Sequence, residues 1–424
     1  MIKTFFKKIK LVIKDKNLSS KLLFVLGALL VFRLLSAIPI PGLNQAALDN
    51  FFNNSKLLGL INISSGGGLS SFSIVMLGVG PYITASIIMQ VMTMVFPPLK
   101  SLQKEEGQAG RLKFTQYSRL LTILLAFIQG FSFLTLLKQQ GVIVDLTNLG
   151  MIVNLTIIAA GSVLLMWIGE LITEFGIGNG VSLIIFAGIV ASLPGTIQNT
   201  IFNYDASQLP SLIAFLIVGI IIVVGVVIVN EAERPVPVTY AKQARGGSAT
   251  GASTYLPLRL NQAGVIPIIF ALSILMLPNL VVALLEGFGG ETSQMVAVKI
   301  NQFIGNQWNY GILYFILVFL LTYFYTAVTF DPKGISENLQ KSGAFIPGVR
   351  PGEHTANYLG NIVSRITLVG ALFLGFIAVL PILVQAVLPN VSTLTIGGTA
   401  LLIAVSVAID LVKKVDSQIS MREY

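Results

Sequence analysis

Few side chains in this sequence could carry covalent or proton-transfer chemistry, and their spacing keeps them apart. There is no cysteine and one histidine, His354. Disulfides and thiolate metal sites are therefore excluded. A lone imidazole supplies neither a His-based metal site nor a catalytic triad. The ionisable residues inside long apolar stretches include Arg33, Arg119, Glu170 and Asp410, each near an end of its stretch. An ion-coupled transporter places such groups at membrane depth, and a relay of Asp, Glu and His is missing. No phosphate-binding loop is present, so the chain holds no ATP-driven motor of its own. The expected chemistry is non-covalent: no enzyme, no metal, no cofactor.

The elements that would position these residues are membrane helices. Of 424 residues, 54% are hydrophobic and only 11% charged, and the mean hydropathy is +0.84. Apolar runs of about 20 residues suffice to cross a ~30 Å hydrocarbon core. Ten such spans are expected: Leu22–Ile38, Phe72–Val95, Tyr117–Leu137, Ile152–Ile172, Val181–Thr200, Ser211–Asn230, Asn261–Leu284, Tyr310–Phe330, Ile362–Val387 and Thr395–Leu411. Pro194 and Gly195 interrupt the fifth. The segment Phe51–Leu69 is too broken by Asn, Ser and Gly to span.

Ten spans put both termini on one side. That side collects 23 of the 27 basic residues, and the other holds only Lys56, Lys138 and Lys299. Basic residues favour cytosolic loops, so both termini are expected in the cytosol. Dropping one span would reverse every later loop and scramble the asymmetry. The same distribution accounts for the net charge of +9 without a nucleic-acid groove. Near the N-terminus, Ile2, Phe5, Phe6, Ile9 and Val12 recur at helical spacing between lysines, the pattern of a surface-lying amphipathic helix. No short apolar core with a small-residue cleavage site is seen there, so the segment reads as retained.

Two basic-side loops are long, about Glu231–Leu260 and Asp331–Asn361. Pro235 to Tyr240 favour an extended strand. Pro347-Gly348 and Pro351-Gly352 bracket Arg350, which should place it at a shaped tip. Such loops could dock an acidic or RNA-containing partner or contact anionic headgroups. His354 reads as an exposed loop residue. On the other side, Ser64, Ser65, Gly66, Gly67 and Gly68 break the chain just before Phe72. Irregular backbone at membrane depth needs protein or a water-filled cavity around it, so Leu57–Ser71 either folds back into the protein or forms an external loop.

Ordered motifs across nearly the whole chain carry a resemblance. They are Ile38-Pro39-Ile40-Pro41-Gly42, Ser65–Leu69, Gly80–Ile88, Glu170–Glu174, Gly176–Gly180, Tyr240-Ala241-Lys242, Leu256-Pro257-Leu258, Ala263–Pro267, Lys341–Glu353 and Gly397-Gly398-Thr399. With these, the chain resembles the SecY/Sec61 alpha family of protein-export pores.

The resemblance implies an all-α polytopic membrane protein with ten transmembrane helices in two pseudo-symmetric five-helix halves, residues 1–200 and 201–424, around an hourglass pore. It implies an aliphatic pore ring of Val79, Ile83, Ile185, Ile189, Ile269 and Ile403. A plug at about Leu57–Ser71 would include Ile61, Ile63, Ser65, Gly66, Gly67, Gly68 and Leu69. A lateral gate between helices two/three and seven/eight would carry Thr84, Gln129 and Ser273, tuned by interhelical hydrogen bonds. Arg350, with Lys242, Arg245 and Lys341, would dock the motor ATPase SecA or the ribosome. The run Gln243–Gly247 is less basic than the family pattern. Further implied partners are SecE, SecG, signal peptides, unfolded secretory polypeptides and membrane lipids, in the cell inner membrane. The rival expectation is a secondary transporter of a small solute; a membrane-embedded enzyme ranks third, for want of convergent catalytic groups.

Overall fold

Long apolar runs without internal hydrogen-bonding competition become helices, because a lipid-embedded backbone must satisfy its own polar groups. The computed structural model describes residues 15–41, 72–104, 106–139, 141–142, 147–202, 209–240, 253–287, 290–387 and 397–420. A helix falls in each of the ten expected spans. They are α1 (Lys16–Ser36), α2 (Gly80–Val95), α4 (Gly107–Gln139), α5 (Asn148–Phe175), α6 (Gly180–Phe202), α7 (Leu209–Glu231), α8 (Ile266–Gly287), α10 (Gln307–Thr329), α12 (Glu353–Val387) and α13 (Gly397–Ser420). Three more helices connect them: α3 (Pro97–Lys104), α9 (Glu291–Gly305) and α11 (Pro332–Lys341).

Among the described residues, five helical stretches are long and apolar enough to cross a membrane unaided, and a sixth forms if α2 and the bent α3 count together. Shorter apolar runs lie in α6, α7 and α8. Asp410, Lys413, Lys414 and Asp416 shorten the apolar part of α13.

The second span departs from expectation. Phe72–Val79 is a chain of turns, and helix begins only at Gly80. Proline in the first turn suits a helix start and disfavours helix before it. Gly78 takes φ +58° and Phe72 φ +40°. The Ile40 N–H donates to the Phe72 carbonyl and the Ile74 N–H to the Ile38 carbonyl, both at 3.0 Å. This clip satisfies backbone that the missing helix leaves open. Conversely, α6 runs through Pro194 without ending.

The two long basic-side loops are folded. β1 (Glu233–Tyr240) pairs antiparallel with β2 (Ser253–Arg259) and with β3 (Ala344–Phe345), in the order β2-β1-β3. The extended segment at Pro235 is therefore real. The second loop instead holds α11, whose N-terminus Asp331 caps by accepting from the Gly334 N–H at 3.2 Å. His354 is exposed but lies in the first turn of α12, not in a loop. Val236, Val238, Leu258, Ala344, Ile346 and Leu359 bury together as a small core outside the bundle.

Pairing of helix ends fixes the alternation. Arg119, about three turns into α4, meets Glu170 near the end of α5. Lys413 near the end of α13 meets Glu231 at the end of α7. β1 and β3 join the loops after α7 and α10. On the opposite face, Asn154 of α5 donates to the Pro41 carbonyl, and Gln307 of α10 to the Ile382 carbonyl of α12.

Candidate functional site

The six aliphatic side chains expected to form the ring all lie in the interior of the bundle. Val79 precedes α2 and Ile83 stands one turn into it, on the same face. Ile185 and Ile189 are likewise one turn apart on α6. Ile269 comes from α8 and Ile403 from α13. Their exposures are 1, 5, 1, 4, 6 and 1%, in that order. All six belong to the same buried cluster. α2 packs on α8, and α6 packs on α13, so the four helices can present these residues to each other.

On the basic side the cluster borders two cavities of mixed polar and apolar lining. A cavity of about 440 Å³ has Ile83 and Ile269 in its wall. A second, of about 210 Å³, shares Asn179, Ser182, Ile266 and Tyr325 with it. In the first, Arg119 grips Glu170 through two contacts, Nε to Oε1 at 3.1 Å and Nη2 to Oε2 at 2.8 Å. Such a two-point pair fixes geometry as well as charge. Beside the second, the Asn261 amide donates to Asn230 Oδ1 at 2.9 Å and to the Gly264 carbonyl at 3.2 Å. Asn230 donates in turn to Ser406 Oγ at 2.9 Å. This network ties α7, the turn before α8 and α13. Neither it nor the Arg119–Glu170 pair was evident in the sequence. Glu170 lies 51 residues beyond Arg119, and only the packing of α4 on α5 unites them.

α2 packs on α8, and α8 also packs on α4. Thr84 and Ser273 are buried. Each hydroxyl donates to the carbonyl four residues back in its own helix, Gly80 and Ile269, both at 3.0 Å. Neither spans the seam as the sequence reading expected, because the helix offers an acceptor at lower cost in ordering. Gln129 is half-buried on α4.

Arg350 is exposed between two glycines of left-handed φ, Gly348 at +80° and Gly352 at +92°. Thr355 Oγ1 donates to its carbonyl at 2.8 Å, which pins the tip to α12. Lys341 is exposed at the end of α11, 3.8 Å from Glu337. Lys242, Arg245, the plug residues Ile61, Ile63, Ser65, Gly66, Gly67, Gly68 and Leu69, and the N-terminal amphipathic segment lie outside the described residues.

A bundle of long apolar helices with ion pairing between neighbouring helices has the architecture of a polytopic membrane protein. A family model described as SecY matches residues 73–412, most of the chain, and the chain belongs to the SecY family. The protein translocase subunit SecY of Mycobacterium tuberculosis is 40% identical, with 97% of each chain covered. A solved structure of a protein-conducting channel matches with TM-score 0.63 at 20% identity, covering 93% of this chain and 91% of that one. Sec61 in a canine ribosome–channel complex from the endoplasmic reticulum matches at TM-score 0.60 and 19% identity, with coverage of 93% and 91%.

Proposed function

We propose that this chain is the pore-forming subunit of the Sec protein translocase, a passive conduit for unfolded polypeptides. The observation that supports this reading is the burial of these six aliphatic side chains in the interior of a SecY-family helical bundle. A narrow aliphatic waist disfavours water and so blocks ions by dewetting. Branched side chains can part around a threading chain without selecting its sequence, since they form no hydrogen bonds with it.

The two halves, 1–200 and 201–424, separate along the seam between α2/α4 and α8/α10 to release apolar segments into lipid. The segment 57–71 acts as the plug. The basic face is the cytosolic face of the inner membrane and carries both termini. There Arg350, Lys341, Lys242 and Arg245 dock SecA or a ribosome. The ribosome reading draws support from the fold shared with the canine ribosome–channel complex. SecE and SecG complete the membrane complex. The chain makes and breaks no bonds itself, and force comes from the docked partner.

Reconstitution into proteoliposomes with a motor ATPase and a secretory precursor tests this. Protease protection of the precursor that requires ATP is the expected result. Flux of a small solute without ATP, and no protection, would instead establish a transporter.

A further inference from the structure

The cavity beside Ile83 and Ile269 has charge opposite to the face on which it opens. That face collects most of the chain's basic residues. Yet the ionised side chains lining the cavity are Glu170, Glu174 and Arg119, a net charge of −1. Arg119 is committed to Glu170 by its two-point contact. Glu174, one turn on along α5, makes no ion pair among the described residues. Independently, Gln90 Oε1, in the same wall, is buried without a hydrogen-bond partner. An acceptor in that state normally has a donor. So the cavity offers unused acceptors and net negative charge, next to apolar Ile83, Ile269 and Phe270.

We propose that Glu174 and Gln90, beside the Arg119–Glu170 pair, receive a cationic side chain, lysine or arginine, that flanks an apolar segment of the translocating chain. This rests on the export-channel reading above. An ammonium brings three donors and no acceptor, which matches a wall of free acceptors. A cation held here leaves the adjoining apolar segment against the aliphatic waist and the α2–α8 seam. It also retains the charged flank on the basic side, the orientation rule that membrane proteins obey.

The test uses the full channel in proteoliposomes of one fixed lipid composition, with motor ATPase and ATP. Three precursors differ only in the flank of the signal segment: three lysines, three glutamines or three glutamates. The wild-type channel is expected to protect the lysine precursor best. Glu174→Gln should cut the lysine-to-glutamine ratio by about fivefold. Glu174→Lys turns the cavity's net charge positive and should move the preference toward the glutamate flank. Glu174 is exposed and unpaired, so these variants leave the Arg119–Glu170 pair and folding alone. If folding nonetheless fails, Ser182→Cys in this cysteine-free chain gives a second readout. It should crosslink to a cysteine beside the lysine flank and less to one beside the glutamate flank. An unchanged ratio in Glu174→Lys, or equal crosslinking, would overturn the proposal and assign the preference to headgroups or the motor. Absence of protection for every precursor in the wild type would instead overturn the export reading.

Discussion

At the scale of residues, the proposed waist is defined by what its six side chains lack. Val79, Ile83, Ile185, Ile189, Ile269 and Ile403 have no polar atoms, and all are buried. Introducing an amide there would place polar atoms where no partner exists, a cost of roughly 1–3 kcal/mol. Water is the easiest way to satisfy it, and water in the waist conducts ions. Ile403→Asn and Ile269→Asn are therefore expected to raise ion leak through reconstituted channels and to let defective signal sequences pass. Planar-bilayer conductance checks the first and export of a signal-mutant precursor the second. Unchanged values in both variants would remove the ring from these positions. The seam residues behave differently. Thr84 and Ser273 donate within their own helices, so Ser273→Val deletes a local bond and no contact between helices. Detergent-solubilised Ser273→Val should melt within about 0.5 kcal/mol of the parent. A larger loss would mean that the hydroxyl joins helices in another state.

At the scale of elements, the start of α2 is held by close packing. Gly161 on α5 lies under the irregular stretch Phe72–Val79, and a Cβ there would overlap the Ile74 carbonyl oxygen. Gly161→Val must push that stretch, and with it Val79, off its seat, at roughly 1–3 kcal/mol. A Cβ on Gly27, in α1, meets nothing within 4 Å. There Gly27→Ala should stabilise by up to about 1 kcal/mol. Thermal unfolding in detergent should lower Tm for the first and not for the second, and equal shifts would sink the packing argument. This stretch also marks where the sequence stopped being legible. Apolar runs disclosed the ten helices, since span length and hydrophobicity are local properties. Phe72–Val79 is as apolar as a helix, and it is diverted by Gly80-Pro81 and by backbone pairing with Ile38–Ile40, a partner some thirty residues away. The helix α11 was legible in principle from the Asp331-Pro332 start. The β1–β3 pairing was not, because Thr239 and Phe345 meet only through the bundle beneath them. The waist residues came from motif resemblance; composition alone gives no reason to single out six isoleucines and valines from so many. The Arg119–Glu170 clasp shows the same limit: each charge is visible in the sequence, the contact is not.

At the scale of the whole molecule, charge and packing constrain the same quantity, the parity of crossings. The basic loops after α7 and α10 share a sheet, and the ends of α7 and α13 share an ion pair between Glu231 and Lys413 at 2.9 Å. These ends must lie on one side. Gln307 and Ile382 meet on the other, with α9 close by in the chain. An even number of crossings between the two sets would tear one of these contacts apart. The absence of cysteine makes the parity directly measurable with single-cysteine variants. Ser342 is exposed beside β3, and Thr292 is exposed on α9. A membrane-impermeant maleimide added to intact cells should label Thr292→Cys and spare Ser342→Cys. In inverted vesicles the pattern should reverse, because the basic loops face the cytosol under the charge rule. Labelling of both from one side would break the ten-crossing order. Reversal of the whole pattern would keep that order and place the basic face outside, where neither a cytosolic motor nor a ribosome could reach Arg350.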